Sequence, residues 1–341
     1  MNQKLIIKCF LFISVSSVLI SSCMSTPESN SSIKINTSSG IVQGVIKRGI
    51  LFWEDIPYAV APVGDLRWKA PRELVSPESF IELKEGNGCL QEASIYAGIQ
   101  GEGIVGQEDC LYLDIQAPVN NSNRRLPVMF WIHGGGNTSG VKDYYDFSEF
   151  IKKQQVIVVT INYRLGPMGW FTHPAIQGPQ NGLDKTSNFG TLDIIQALRW
   201  VQNNITEFGG DSNNVTIFGE SAGGHNVLSL LSSPISNGLF HKAISQSGYT
   251  TTFTLDEAFG SDLNGDTVNE LGSDLVLSQN DLSGYGSIKK LYMEDPLKYG
   301  KEFQRYLRSI DGKDLFNAYN KISDDTFDRL PLLTRDGIVL H

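Results

Sequence analysis

The chain has 341 residues, 40% of them apolar, which is enough for a large core in one or two domains. Its formal charge is −9 and it has no basic tract, which argues against a nucleic-acid partner.

The first 22 residues read as an export signal. Lys4 and Lys8 precede an apolar run from Cys9 to Ile20, too short to span a bilayer comfortably. The run ends in Ile20-Ser21-Ser22-Cys23, which resembles a bacterial lipobox with Cys23 as the lipidated first residue of the mature chain. The alternative is an ordinary secretory signal beside a free cysteine. Residues 23–32, rich in Ser and Asn, suit a flexible tether. Lys4 and Lys8 leave with the signal, so processing takes the charge from −9 to −11. The expected address is the bacterial cell envelope, with the chain lipid-anchored and facing the periplasm or the surface. Cys89 and Cys110 then remain, either as a disulfide, which persists in an oxidising compartment, or as two buried thiols. Closing that loop of about 20 residues would contribute on the order of 3 kcal/mol.

From Ile33 the chain reads as one α/β domain to residue 341. Short strands up to about Tyr58, with Gly40 and Gly49 at turns, suggest an antiparallel hairpin region. Pro62 to Trp68 reads as loop, Leu111 to Gln116 as a strand and Asn120 to Arg125 as a polar turn. Val128 to Ile132 and Gln155 to Asn162 are apolar runs suited to the inside of a parallel sheet. Gly190 to Phe208 places Leu192, Ile195, Leu198, Val201, Ile205 and Phe208 at helical spacing before Gly209-Gly210. Strands at Asn214 to Phe218 and Ala243 to Ser247 follow, then polar helices at Asp266–Leu277, Tyr299–Ser309 and Asp314–Ile322. This alternation predicts a mostly parallel, doubly wound α/β sheet with sites at the carboxyl ends of strands.

Between the strand ending at Phe218 and a helix from Ala222 stands Gly219-Glu220-Ser221-Ala222-Gly223, a G-x-S-x-G nucleophile elbow. Glycines two residues before and after the serine permit a turn too tight for side chains. The turn lifts the Ser221 hydroxyl clear of the sheet and aims a helix N-terminus at developing negative charge. Upstream, His133-Gly134-Gly135-Gly136 follows a buried strand. Its glycines let backbone N–H groups approach a tetrahedral oxyanion, joined by the N–H after the nucleophile.

These motifs resemble the type-B carboxylesterase family of α/β-hydrolases, which includes cholinesterases and the non-catalytic neuroligins. The resemblance also rests on Ile56-Pro57-Tyr58-Ala59, Glu108 to Leu113, Asn162-Tyr163-Arg164, Asn188-Phe189-Gly190 and Phe208 to Asp211, and it runs from about Ile33 to the end. It implies an α/β-hydrolase fold, Ser221 as nucleophile and Gly135, Gly136 and Ala222 as oxyanion donors. It further implies a Cys89–Cys110 disulfide beside the gorge mouth and an Arg67–Glu108 salt bridge. The substrate implied is a small-molecule ester, with no metal or other cofactor. The family triad runs Ser, then Glu or Asp, then His, far downstream of the elbow. Asp336-Gly337 resembles the stretch preceding the catalytic acid, so the acid, the histidine and the last strands are expected to be absent. None of His133, His173, His225, His241 and His341 suits the role of base, His225 being the least unsuitable. Activity is then expected to be very low or nil for this chain alone. The different-class alternative is a catalytically dead binding or adhesion module. Two weaker signals are read as chance. Asp262-x-Asn264-x-Asp266 lacks the glycine and final glutamate of a calcium loop, and the Asn214-Val215-Thr216 sequon lies in a strand. Oligomeric state is not legible.

Overall fold

The computed structural model describes residues 33–84, 87–119, 125–261, 267–280, 282, 284–322 and 331–341. The signal segment, Cys23 and the tether lie outside them, as do most of the polar turn at 120–124 and the calcium-like segment 262–266.

Ten strands are described: β1 (Ile33–Thr37), β2 (Gly40–Lys47), β3 (Ile50–Pro57), β4 (Gln91–Glu92), β5 (Ile104–Val105), β6 (Tyr112–Pro118), β7 (Leu126–Ile132), β8 (Ile157–Ile161), β9 (Gly210–Glu220) and β10 (Lys242–Gln246). Eight form one sheet in the order β1-β2-β3-β6-β8-β7-β9-β10, while β4 and β5 pair separately. The first four strands of that order are antiparallel to their neighbours, and β8, β7, β9 and β10 are mutually parallel. The described sheet is therefore mixed, its antiparallel part reaching inward through β6.

Three helices make the parallel connections: α1 (Ser148–Gln154), α2 (Phe189–Asn204) and α3 (Ala222–Ser232). Every residue of β8 is buried, as expected for a strand covered on both faces. Helix α2 is buried on nearly its whole circumference, not on the stripe from Leu192 to Val201 alone. Its predicted last turn tightens into a 3₁₀ segment, Ile205–Phe208, that ends on Gly209 at φ 84°. Glycine adopts that left-handed conformation without a Cβ penalty.

Buried charge ties the layers together. Asp193 of α2 is fully buried and accepts from Arg164 Nε and Nη2, both at 2.7 Å. Lys142 Nζ, also buried, lies 2.8 Å from Asp55, 2.9 Å from Asp114 and 2.7 Å from Asp143. It thereby fastens the β3 bulge and β6 to the segment that follows the glycine loop after β7. Arg67 forms the expected pair with Glu108, Nε to Oε2 at 2.8 Å, and its Nη1 also donates to the Ile310 carbonyl.

Cys89 and Cys110 meet as a disulfide, Cα atoms 4.9 Å apart and both residues buried. Cys89→Ala is expected to lower the unfolding free energy by about 3 kcal/mol through the longer open loop. Denaturant titration checks this, and an unchanged midpoint would remove the bridge from the stability account.

Candidate active site

Strand β7 is where the sheet reverses direction. The chain leaves it through α1 to β8 on one side and returns through α2 to β9 on the other. Ligands in open α/β sheets bind outside the carboxyl ends of strands at such a point. The register pairs Ile132 of β7 with Gly219 of β9, so the segment starting at His133 emerges beside Ser221.

Ser221 sits at φ 56°, ψ −120°, a conformation L-residues with side chains rarely adopt. Its amide donates to Gln246 O at 2.9 Å, and its carbonyl accepts from His225 N at 2.9 Å. The flanking glycines are sterically required. A Cβ on Gly223 would collide with the Ile132 carbonyl oxygen, and one on Gly219 would lie 2.5 Å from the Gly223 carbonyl carbon. Gly134 is similarly confined, 2.7 Å from Glu220 O by the same test.

Gly135 and Gly136 have φ of 97° and 64°. The Gly135 carbonyl accepts from the N–H groups of Thr138 and Ser139, both at 3.0 Å, which closes the loop back on itself. Among the described residues, the N–H groups of Gly135, Gly136 and Ala222 take no acceptor. An oxyanion hole needs donors held ready in this way. Next to the loop is a cavity of about 220 Å³ whose lining includes Ser94, Thr138, Ser139, Phe316 and Tyr319.

All five histidines are described, and none hydrogen-bonds the Ser221 hydroxyl. His133 stacks on Tyr163 with ring centres 4.4 Å apart, and its Nδ1 contacts Gly134 O at 2.9 Å. His173 caps the helix Pro174–Gln177, with Nε2 3.1 Å from the Tyr285 hydroxyl. His225 is buried against Tyr249 at 4.2 Å, and neither ring nitrogen has a partner. His241 Nδ1 accepts from Val215 N at 3.2 Å, and His341 is exposed.

Asp336 is structural. Its Oδ1 accepts from the N–H groups of Ile338, Val339 and Leu340, and its Oδ2 from Asn188 and the Thr186 hydroxyl. Among the described residues, the one carboxylate trio close enough to share a metal ion, Asp55, Asp114 and Asp143, surrounds the Lys142 ammonium instead. Sequence patterns did not single out Asn137 and Asn226, two fully buried asparagines joined by a hydrogen bond behind the loop.

A mixed sheet with a strained serine at a strand-to-helix turn beside a glycine loop defines the α/β-hydrolase class. The family model described as the carboxylesterase family matches residues 31–331, and the chain belongs to that family. It is 40% identical over 227 residues to para-nitrobenzyl esterase of Bacillus subtilis (strain 168), covering 66% of this chain and 45% of the relative. It is 43% identical over 219 residues to fumonisin B1 esterase of Sphingopyxis macrogoltabida, covering 62% and 39%. The match thus spans less than half of each relative's length. Among solved structures, a PNB esterase superposes with TM-score 0.68 at 31% identity over 90% of this chain and 58% of that one. A Geobacillus stearothermophilus carboxylesterase superposes with TM-score 0.71 at 30% identity over 90% and 56%.

Burial determines the charge state of three histidines. Desolvation pulls His133 and His225 down to about 4 and His173 to about 3, against an ordinary 6.5. For His133 the Gly134 contact opposes the shift, and for His173 the Asp274 charge opposes it. The unfolded chain therefore takes up protons below about pH 6.5 that the folded chain refuses. Their stability contribution is complete above that pH and is lost as pH falls toward 4. Each histidine should cost on the order of 1 kcal/mol per pH unit across that window. Denaturant midpoints at pH 7 and pH 5 test this, and a flat profile would show that these imidazoles accept protons in the fold.

Proposed function

We propose that this chain carries the nucleophile and oxyanion hole of an exported carboxylic-ester hydrolase. Ser221 Oγ attacks the carbonyl of a small-molecule ester. The oxyanion formed accepts hydrogen bonds from Gly135, Gly136 and Ala222. The alcohol leaves, the acyl group stays on Ser221 as an ester, and water then releases the acid. This chemistry needs no metal or other cofactor. The cavity beside the loop offers aromatic and hydroxyl surface to one arm of the substrate. Cys23 is the lipid attachment point, holding the domain at the cell envelope through residues 23–32.

The observation that carries the reading is the held conformation of Ser221, at φ 56°, beside three unengaged N–H groups. A strained non-glycine residue costs about 1–3 kcal/mol and persists where the surroundings enforce it. A pure binding module would have no use for that combination, which argues against the adhesion alternative. The relatives named as para-nitrobenzyl and fumonisin B1 esterases support ester chemistry.

The test is labelling of the purified chain with a fluorophosphonate, with Ser221→Ala as control. With no histidine on the serine hydroxyl, slow but Ser221-dependent labelling is expected, since loss of the base costs about 10⁶ in turnover in a serine hydrolase. Equal labelling of Ser221→Ala would refute the nucleophile assignment. Rapid labelling would show that a base operates within the chain, and His225→Ala would identify it if His225 were that base.

A further inference from the structure

Asn226 lies five residues beyond Ser221 on α3 and is fully buried. Its Nδ2 donates to Asn137 Oδ1 at 2.8 Å. Asn137 directly follows Gly136, is likewise fully buried, and is held at φ 58°. Its carbonyl accepts from Gly166 N at 2.7 Å. The Tyr163 hydroxyl contacts the same Oδ1 at 3.4 Å and His133 O at 2.7 Å. One cluster thus holds both ends of the His133–Asn137 loop and the nucleophile helix.

The arrangement is costly. Asn137 Nδ2 and Asn226 Oδ1 have no partner among the described residues, so each of the two buried amides leaves one polar atom unsatisfied. Burying unsatisfied polar atoms opposes folding, and an apolar pair of similar volume would avoid that penalty. The bond therefore contributes direction more than stability. Asparagine tolerates the left-handed conformation better than most residues, and anchoring its side chain fixes the peptide between Gly136 and Asn137.

We propose that Asn226 and Asn137 are positioning residues, locking the Gly135 and Gly136 N–H groups in register with Ser221. This rests on the nucleophile and oxyanion reading above. A displacement of about 1 Å in such a site costs roughly 100-fold in rate.

Three variants test it. Asn226→Leu removes the donor. Asn226→Asp turns it into an acceptor when ionised and back into a donor when protonated. Asn137→Gly accepts the positive φ without strain, so it keeps the fold while losing the side-chain anchor. Two readouts are compared with wild type at each pH. One is hydrogen-exchange protection of the 133–141 segment. The other is the fluorophosphonate rate, in which the Ser221 Oγ–P bond forms, the P–F bond breaks and the hydroxyl proton passes to buffer. Asn226→Leu and Asn137→Gly should lose about tenfold or more in loop protection and label about 10–100-fold more slowly. Asn226→Asp should behave likewise at about pH 9 and return toward wild type at about pH 5, where a buried carboxyl is protonated. That recovery is not expected of a residue that merely fills space. Wild-type protection in Asn137→Gly and Asn226→Leu, or no pH-linked recovery in Asn226→Asp, would overturn the proposal. If wild type itself resists labelling, the nucleophile reading fails while the exchange data still decide the positioning role.

Discussion

The Ile132 carbonyl lies where a Cβ on Gly223 would have to be, and that exclusion organises the rest of the molecule. It forces the start of α3 against the end of β7, with the elbow folded between them. Two segments far apart in sequence, His133 to Gly136 and Gly219 to Gly223, therefore share one small volume. The serine takes an unfavourable backbone angle at a turn whose flanking glycines, Gly219 and Gly223, are packed against neighbouring backbone. A single methyl group at Gly223 would oppose this contact, so the motif is a steric requirement before it is a chemical one.

Around that contact the ionic pairs act as fasteners. Arg164 with Asp193 ties the segment after β8 to α2, and Arg67 with Glu108 ties an early loop to the disulfide region and to Ile310. Lys142 sits among three carboxylates, whose charges hold it protonated despite its burial. Buried pairs like these add little net stability over apolar packing, but removing one partner strands a charge and is strongly destabilising. Residues that mark the family in the sequence, such as Arg164 and Asn188, thus serve geometry. Asn188 exchanges hydrogen bonds with Thr334 and donates to Asp336, which brings the last described segment onto α2.

What was legible in the sequence was local. Apolar runs located β7 and β8, and the turn chemistry of Gly219 to Gly223 located the elbow to the residue. The α2 stripe was readable, but its burial on other faces was not, since that depends on neighbours distant in the chain. The antiparallel pairing of β6 with β8 was hidden for the same reason, because buried strands of either direction read as apolar runs. Asp336 could be read only by resemblance, and its closure of a C-terminal turn emerged from three backbone amides. The Asn137–Asn226 pair left no periodic or motif signature, being a contact between residues 89 positions apart.

The backbone of Ser221 is moored to the strand beside its own. Ser221 N–H donates to Gln246 at the end of β10, which is the edge strand of the described sheet and largely exposed. β10 pairs with β9 from Lys242–Thr216 to Gln246–Glu220, so the strand leading into the elbow and the acceptor of the serine amide belong to one ladder. The Ser221 amide thus extends the β9–β10 ladder one step past its last paired residue, Glu220. A change in β9–β10 pairing would therefore reach the elbow through one backbone hydrogen bond, without altering any side chain of the site.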